Sequence, residues 1–130
     1  MATIKSAFVS LILSDSIITG LIGDRFTPGV IALGSDLPAV TYQIIGDTPN
    51  YNHDGESNMQ STRMQITIDA DNQEKAGEVA SSFKTKLSGF KGIVSGIRLV
   101  IFLENAYDGT TNLDSGVHTL RQDYRIKWSK

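Results

Sequence analysis

The sequence contains no cysteine, and this absence excludes several classes of site. A disulfide framework, a thiolate metal centre and a cysteine nucleophile all require that residue. Histidine is scarce as well, with only His53 and His118 in the chain. Catalysis would have to use Asp, Glu, Ser or Tyr, and no spacing singles out a set of them. We therefore expect a protein that is not an enzyme, has no catalytic residues and is stabilised by packing alone.

The sequence also lacks an excess of charge and a long apolar run. Twelve basic and fourteen acidic residues give a net charge of -2, so nothing in the overall charge attracts the chain to nucleic acid or to an anionic membrane. The apolar run AFVSLIL has seven residues and is followed by the polar Ser14-Asp15-Ser16, whereas a spanning helix needs about 20. The sequence predicts no membrane partner.

Motifs for binding phosphates, cofactors or metals are missing. No Gly-x-Gly-x-x-Gly, Gly-Lys-Ser/Thr or Gly-x-Ser-x-Gly occurs, and the glycines at 20, 23, 89, 92 and 96 are predicted to lie at helix ends and turns. His53, Asp54 and Glu56 offer one nitrogen and two oxygens, but near neighbours on a flexible loop rarely converge on one ion. We expect no metal site and no cofactor.

Two short helices are predicted at the start of a single domain that spans residues 1–130. Apolar residues at helical spacing run from Ile4 to Ile12 and stop at Ser14, and a second set runs from Ile17 to Ile22. Ser14 or Asp15 can cap the second helix, and Gly23 can close it.

Strand patterns follow from Ala39 to Ile45, from about Gln60 to Ala70, from Ile97 to Leu103 and from Leu120 to Trp128. An amphipathic helix capped by Asp71 or Asn72 lies between the second and third of these strands, and residues 26–37 have the composition of an irregular connection. The order is α-α-β-β-α-β-β. It predicts an α+β fold with a four-stranded, mainly antiparallel sheet and helices packed on one face.

One face of that sheet is predicted to be open and polar. Its side chains alternate with apolar residues in the second and fourth strands; they are Arg63, Gln65, Thr67, Arg121 and Arg125. Such a face suits a polar channel or a wet protein interface. A ferredoxin-like nucleic-acid-binding module is the alternative, but no exposed aromatics are apparent among the arginines, and Asp69 and Asp123 in the same rows favour cross-strand ion pairs.

The order of landmarks resembles the tail-completion, or tail-terminator, proteins of long-tailed bacteriophages. The matching segments are SDSIITGLIGDRFTPG, then LPAVTYQIIGD, then a polar loop, then RMQITIDADNQEKAGEVASSFKTKL. Gly23-Asp24-Arg25 and Leu37-Pro38 stand where that family has similar short motifs, and residues 63–70 match its strand before a helix. The likeness covers residues 14–90 well and the rest loosely. After the turn, residues 71–73 depart from the family in detail.

The resemblance implies a virion protein at the head-proximal end of the tail, present in the host cytoplasm during assembly. It implies a ring of six copies that stops polymerisation of the tail tube protein and joins it to the head connector. DNA would pass through the ring without specific binding. On this reading the contact loops are residues 46–59 and 107–116, with the interface residues Pro49, Asn50, Tyr51, Asn52, His53, Asp54, Tyr107 and Asp108.

Overall fold

The computed structural model describes residues 3–29, 36–52, 55–111 and 116–129. The helices are α1 (Ile4–Leu13), α2 (Ser16–Ile22) and α3 (Gln73–Leu87). The strands are β1 (Phe26–Pro28), β2 (Ala39–Asn52), β3 (Gly55–Ala70), β4 (Lys91–Val94), β5 (Ile97–Thr111) and β6 (His118–Ser129).

The helix ends follow the predicted capping chemistry. Asp15 precedes α2, and its carboxylate accepts hydrogen bonds from the backbone N–H groups of Ile17 and Ile18. Gly23 ends the same helix with a φ of 61°, a conformation that glycine adopts without strain. At α3 the cap is Asn72, whose side chain accepts from the N–H of Lys75. The predicted helices and their caps are therefore confirmed.

The sheet has six strands in the order β1-β2-β3-β6-β5-β4 and curls into a half-barrel, so the predicted four-stranded sheet is wrong. The two extra strands are the edges. β1 pairs in parallel with β2, which makes the sheet mixed, and β4 pairs antiparallel with β5. They contain three and four residues, too few for an alternating pattern to be recognised.

The short edge strands also explain two local errors. Residues 26–28 belong to β1, although the composition of residues 26–37 suggested an irregular connection. Gly92 lies inside β4, not at a turn, and the same prediction is wrong for Gly20, which lies inside α2. Gly89 and Gly96 were predicted correctly, since both lie outside the regular elements with a φ of +80°.

All three helices pack on one face of the sheet. The core joins Phe8, Ile12, Ile18 and Phe83 of the helices to Ile66 and the other inward-facing side chains of the strands. Alternation along β3 is complete from Thr62 to Ala70, with even-numbered residues buried and odd-numbered residues partly exposed. The predicted packing of helices on a single face is therefore correct, and the opposite face is left open.

Among the described residues, no single helix is long and apolar enough to cross a membrane. α1 and α2 reach that length and hydropathy only when taken as a pair, and they meet at a bend of 87°.

Candidate interaction surfaces

The β2–β3 hairpin and the connection between β5 and β6 lie at opposite ends of the sheet. The β2–β3 hairpin extends past the rest of the sheet. Gln60, opposite Trp128, is the first residue of β3 that pairs with β6. Residues 50–52 and 55–59 lie beyond that point and are here called the arm. The arm projects by at least about 10 Å at 3.3 Å per residue. The turn between β5 and β6 lies at the other end, where His118 is opposite both Ala70 and Thr111.

The open face of the sheet carries a bridged pair of arginines. Arg63 and Arg125 are directly opposite each other on β3 and β6, a placement in which like charges repel. Glu104 lies between them: one carboxylate oxygen is 3.2 Å from Arg63 Nε and the other is 3.1 Å from Arg125 Nε. Arg125 also donates from Nη1 to the hydroxyl of Ser61 at 3.1 Å. The carboxylate offsets the repulsion between the two guanidinium groups.

Glu104 reaches this position because β5 is irregular at that residue. The register passes from Leu103 opposite Tyr124 to Asn105 opposite Asp123, which leaves Glu104 as an extra residue between them. A comparable irregularity in β2 leaves Ile45 between the pairs Ile44/Met64 and Gly46/Arg63. Both irregularities lie beside the arginine pair.

Asp123 is a carboxylate on the open face that is nevertheless only 2% exposed. Gln65 donates to one of its oxygens at 3.0 Å, and the hydroxyl of Tyr107 donates to the other at 2.9 Å. Arg63 lies 3.9 Å away and contributes an ion pair. These partners compensate the burial of the charge. The same hydrogen bond to Asp123 raises the pKa of Tyr107, because it stabilises the protonated phenol.

The pKa values of the core tyrosines are raised by a different cause, which is burial. Burial raises the pKa of Tyr124, whose hydroxyl donates to Gln122 at 2.7 Å, and it also raises the pKa of Tyr42. Gln122 in turn donates to the backbone carbonyl of Ala80 in α3 at 3.1 Å. This chain of hydrogen bonds connects the sheet to α3 and has the character of a structural contact.

The predicted polar-face residues are brought together as expected. Thr67 is opposite Arg121, and Arg63 is opposite Arg125, so Arg63, Gln65, Thr67, Arg121 and Arg125 share one face of two adjacent strands. The expected ion pairing is found only in part. Asp123 pairs with Arg63, whereas Asp69 accepts a hydrogen bond from Thr119. The closest ion pairs involve Glu104, which directly follows the apolar run that predicted β5.

The predicted interface residues of the two loops lie in strands wherever the structure describes them. Pro49, Asn50, Tyr51 and Asn52 belong to β2, and Tyr107 and Asp108 belong to β5. His53 and Asp54 lie outside the described residues. Their contact with a partner remains a prediction, but the first segment is a strand hairpin and the second begins within the sheet.

Exposed aromatics do occur on the open face, contrary to the sequence-based argument against nucleic acid. Phe102 is opposite Arg125, and Tyr107 is opposite Arg121. They are 46% and 45% exposed. Simple alternation from Ile97 places Phe102 on this face, whereas Tyr107 follows the irregularity at Glu104, which shifts the inward and outward positions by one residue.

Within the part of the chain that the structure describes, no group of three or more His, Asp or Glu residues is placed to hold a metal ion. A groove of about 680 Å³ runs between α2 and α3 and is lined by Ile17, Gly20, Leu21, Gly77 and neighbouring serines. Its one charged lining residue is Glu78, so it contains no pair of groups for acid–base chemistry.

Comparison with known proteins gives a likeness in fold. No protein-family model matches the chain, and no curated protein matches it. A chain from the virion of a native gene transfer agent particle superposes with a TM-score of 0.73 at 13% identity, covering 98% of this chain and 95% of that one. A second solved chain gives a TM-score of 0.66 at 12% identity, with 98% and 94% covered. This chain therefore has the fold of a virion component over nearly its whole length.

Proposed function

We propose that this chain is a structural protein of a phage-like virion and, within it, the tail terminator that joins the tail to the head. The observation that carries the proposal is the pair of hairpins at opposite ends of one sheet. A terminator lies between two different partners, the tail tube protein on one side and the head connector on the other. A subunit with a different element at each end of its sheet fits that position.

The fold likeness to a gene transfer agent virion chain supports the coarser part of this proposal. The resemblance of residues 14–90 to tail-completion proteins supports the finer part. In the proposed assembly six copies close into a ring at the head-proximal end of the tail. A ring requires two different complementary surfaces on each copy, and the arm and the part of the open face around Thr67 and Arg121 differ in charge.

The ferredoxin-like alternative has less support. Its four-stranded sheet does not accommodate the six strands found here or their order. The remaining reason to consider nucleic acid as a partner is that arginine and exposed aromatic side chains lie together on the open face.

Deletion of residues 49–57 tests the role of the arm. These residues lie almost wholly beyond the part of β3 that pairs with β6, so the shortened protein should keep its fold and its melting temperature. We expect it to fail to complement a phage that lacks the gene, with heads and tails left unjoined. Normal yields of joined particles from the deletion variant would refute the assignment of the arm.

Charge reversal on the open face is a second test. Arg121→Glu changes a side chain that makes no described ion pair, so stability should change little. We expect impaired assembly. Lys75→Glu on the exposed side of α3 is the matched control, and equal effects of the two variants would show that the open face has no special role.

A further inference from the structure

The open face is positively charged in a protein that is acidic overall. Alternation along the strands places six cations on it: Lys91, Arg98, Arg121 and Lys127, together with Arg63 and Arg125 of the bridged pair. The anions on that face are Asp69, Glu104 and Asp123, so its charge is +3. The remaining six cations and eleven anions of the chain give the rest of the molecule a charge of -5. The open face is therefore more positive than the chain as a whole.

Most of the positive charge lies at one end of the face, on β4, β5 and β6. Lys91 and Lys127 flank Val100 in a single row across three strands, about 10 Å apart at the usual strand spacing. Arg98 lies two residues along β5, about 7 Å from Val100. We call Lys91, Arg98, Arg125 and Lys127 the basic patch. Glu104 lies beside the patch and is already shared by two arginines, and Asp123 lies two residues along β6 from Arg125, where it pairs with Arg63.

Apolar side chains lie among these cations. Phe102 is opposite Arg125, Val100 is opposite Lys127, and Ile93 on the edge strand is opposite Arg98. Phe102 and Ile93 are 46% and 67% exposed. Cationic side chains that are separated by apolar ones can follow a nucleic-acid backbone through its phosphates without reading its sequence.

We propose that the basic patch is a contact surface for the phosphate backbone of duplex DNA. The choice of DNA as the polyanion rests on the proposed function, since DNA would pass through the ring and a face that lined its channel would meet it. Binding is weak and independent of sequence, because four separated cations supply electrostatic attraction but no reading of bases. Weak contact would allow DNA to move past the ring while the face keeps it centred.

A test is available with the purified full chain and a fluorescently labelled 30-base-pair duplex of random sequence. We expect fluorescence anisotropy to detect binding at 50 mM salt that weakens about 100-fold by 200 mM, as about four phosphate contacts require. The double variant Arg98→Glu/Lys127→Glu should bind at least about 10-fold more weakly than wild type. The control Lys75→Glu/Lys84→Glu makes the same change in net charge on α3 and should bind like wild type.

Two results would overturn the proposal. One is no binding by the wild-type chain at 50 mM salt, and the other is an equal loss in both double variants, which would mean that net charge alone matters. A fluorescent peptide of residues 46–59, which contains Asp47, Asp54 and Glu56 and no Lys or Arg, supplies a comparison. Binding of this peptide without binding of DNA would assign the patch to contact between copies. Loss of the DNA contact leaves the joining role intact, since that role is scored separately by complementation in phage.

Discussion

Gly109 provides the sharpest test of the sheet geometry, because a side chain at that position has no room. It lies in β5 where the register with β6 is irregular, between Asp108 and Thr111. A Cβ built on Gly109 would overlap the backbone carbonyl oxygen of Thr119 and lie 2.6 Å from its carbonyl carbon. Ordinary contacts of a Cβ begin near 3.4 Å, so the backbone of β6 would have to move by about 1 Å or more.

We expect Gly109→Ala to lower the free energy of unfolding by about 2–3 kcal/mol, the range for overpacking that displaces backbone. For a chain of this length the melting temperature should fall by roughly 10 °C. Gly77→Ala is the matched control. It makes the same chemical change within α3, where a Cβ would meet nothing within 4 Å, and it should stabilise by up to about 1 kcal/mol.

Urea unfolding followed by tryptophan fluorescence measures both variants, since Trp128 lies in β6 and is buried. Opposite signs for the two substitutions are the expected result. A Gly109→Ala protein within about 0.5 kcal/mol of wild type would refute the close approach of β5 to β6.

Three further changes test the polar contacts of the sheet. Glu104→Gln should lower the free energy of unfolding by about 0.5–1 kcal/mol at low salt and by less at 0.5 M salt, because its two ion pairs are partly exposed. A decrease that is the same at both salt concentrations in urea unfolding would contradict the bridging role. Thr62→Val should lower the free energy of unfolding in urea by about 1–2 kcal/mol, because the hydroxyl accepts a hydrogen bond from the buried indole N–H of Trp128 at 2.9 Å. Thr62→Ser keeps the hydroxyl and should have a smaller effect. Equal effects of the two substitutions would show that this bond is unimportant. Burial raises the pKa of Tyr124 in the folded state above that of the unfolded chain, where the phenol ionises near pH 10. The contribution of the protonated Tyr124 to stability is therefore complete below about pH 10 and is lost as the pH rises further. Stability should therefore fall more steeply above about pH 10 in wild type than in Tyr124→Phe, and parallel curves in thermal unfolding would disprove this.

The helices and long strands could be predicted from the sequence because their signals are local. Asp15 and Asn72 cap helices by contacts within three residues, and the alternation from Thr62 to Ala70 directly reports one buried face. The edge strands could not be predicted in this way. β1 and β4 are defined by pairing with partners elsewhere in the chain, and three or four residues carry too little pattern.

The candidate surfaces were predicted in part for the same reason. Arg63 and Arg125 were placed on one face by their own alternation. Glu104 was missed because its role depends on an irregularity in β5 that shifts the alternation by one residue. Lys91 was missed because β4 itself was missed. The positive charge of the open face becomes apparent only when the strands are placed side by side.

Deletion of the gene from the genome that encodes it, followed by electron microscopy of the particles, tests the proposed terminator role most directly. Our proposal predicts filled heads beside unattached tails whose lengths exceed or scatter around the normal value, because tube polymerisation would no longer be stopped. Joined virions with tails of normal length would contradict the role at the end of the tail.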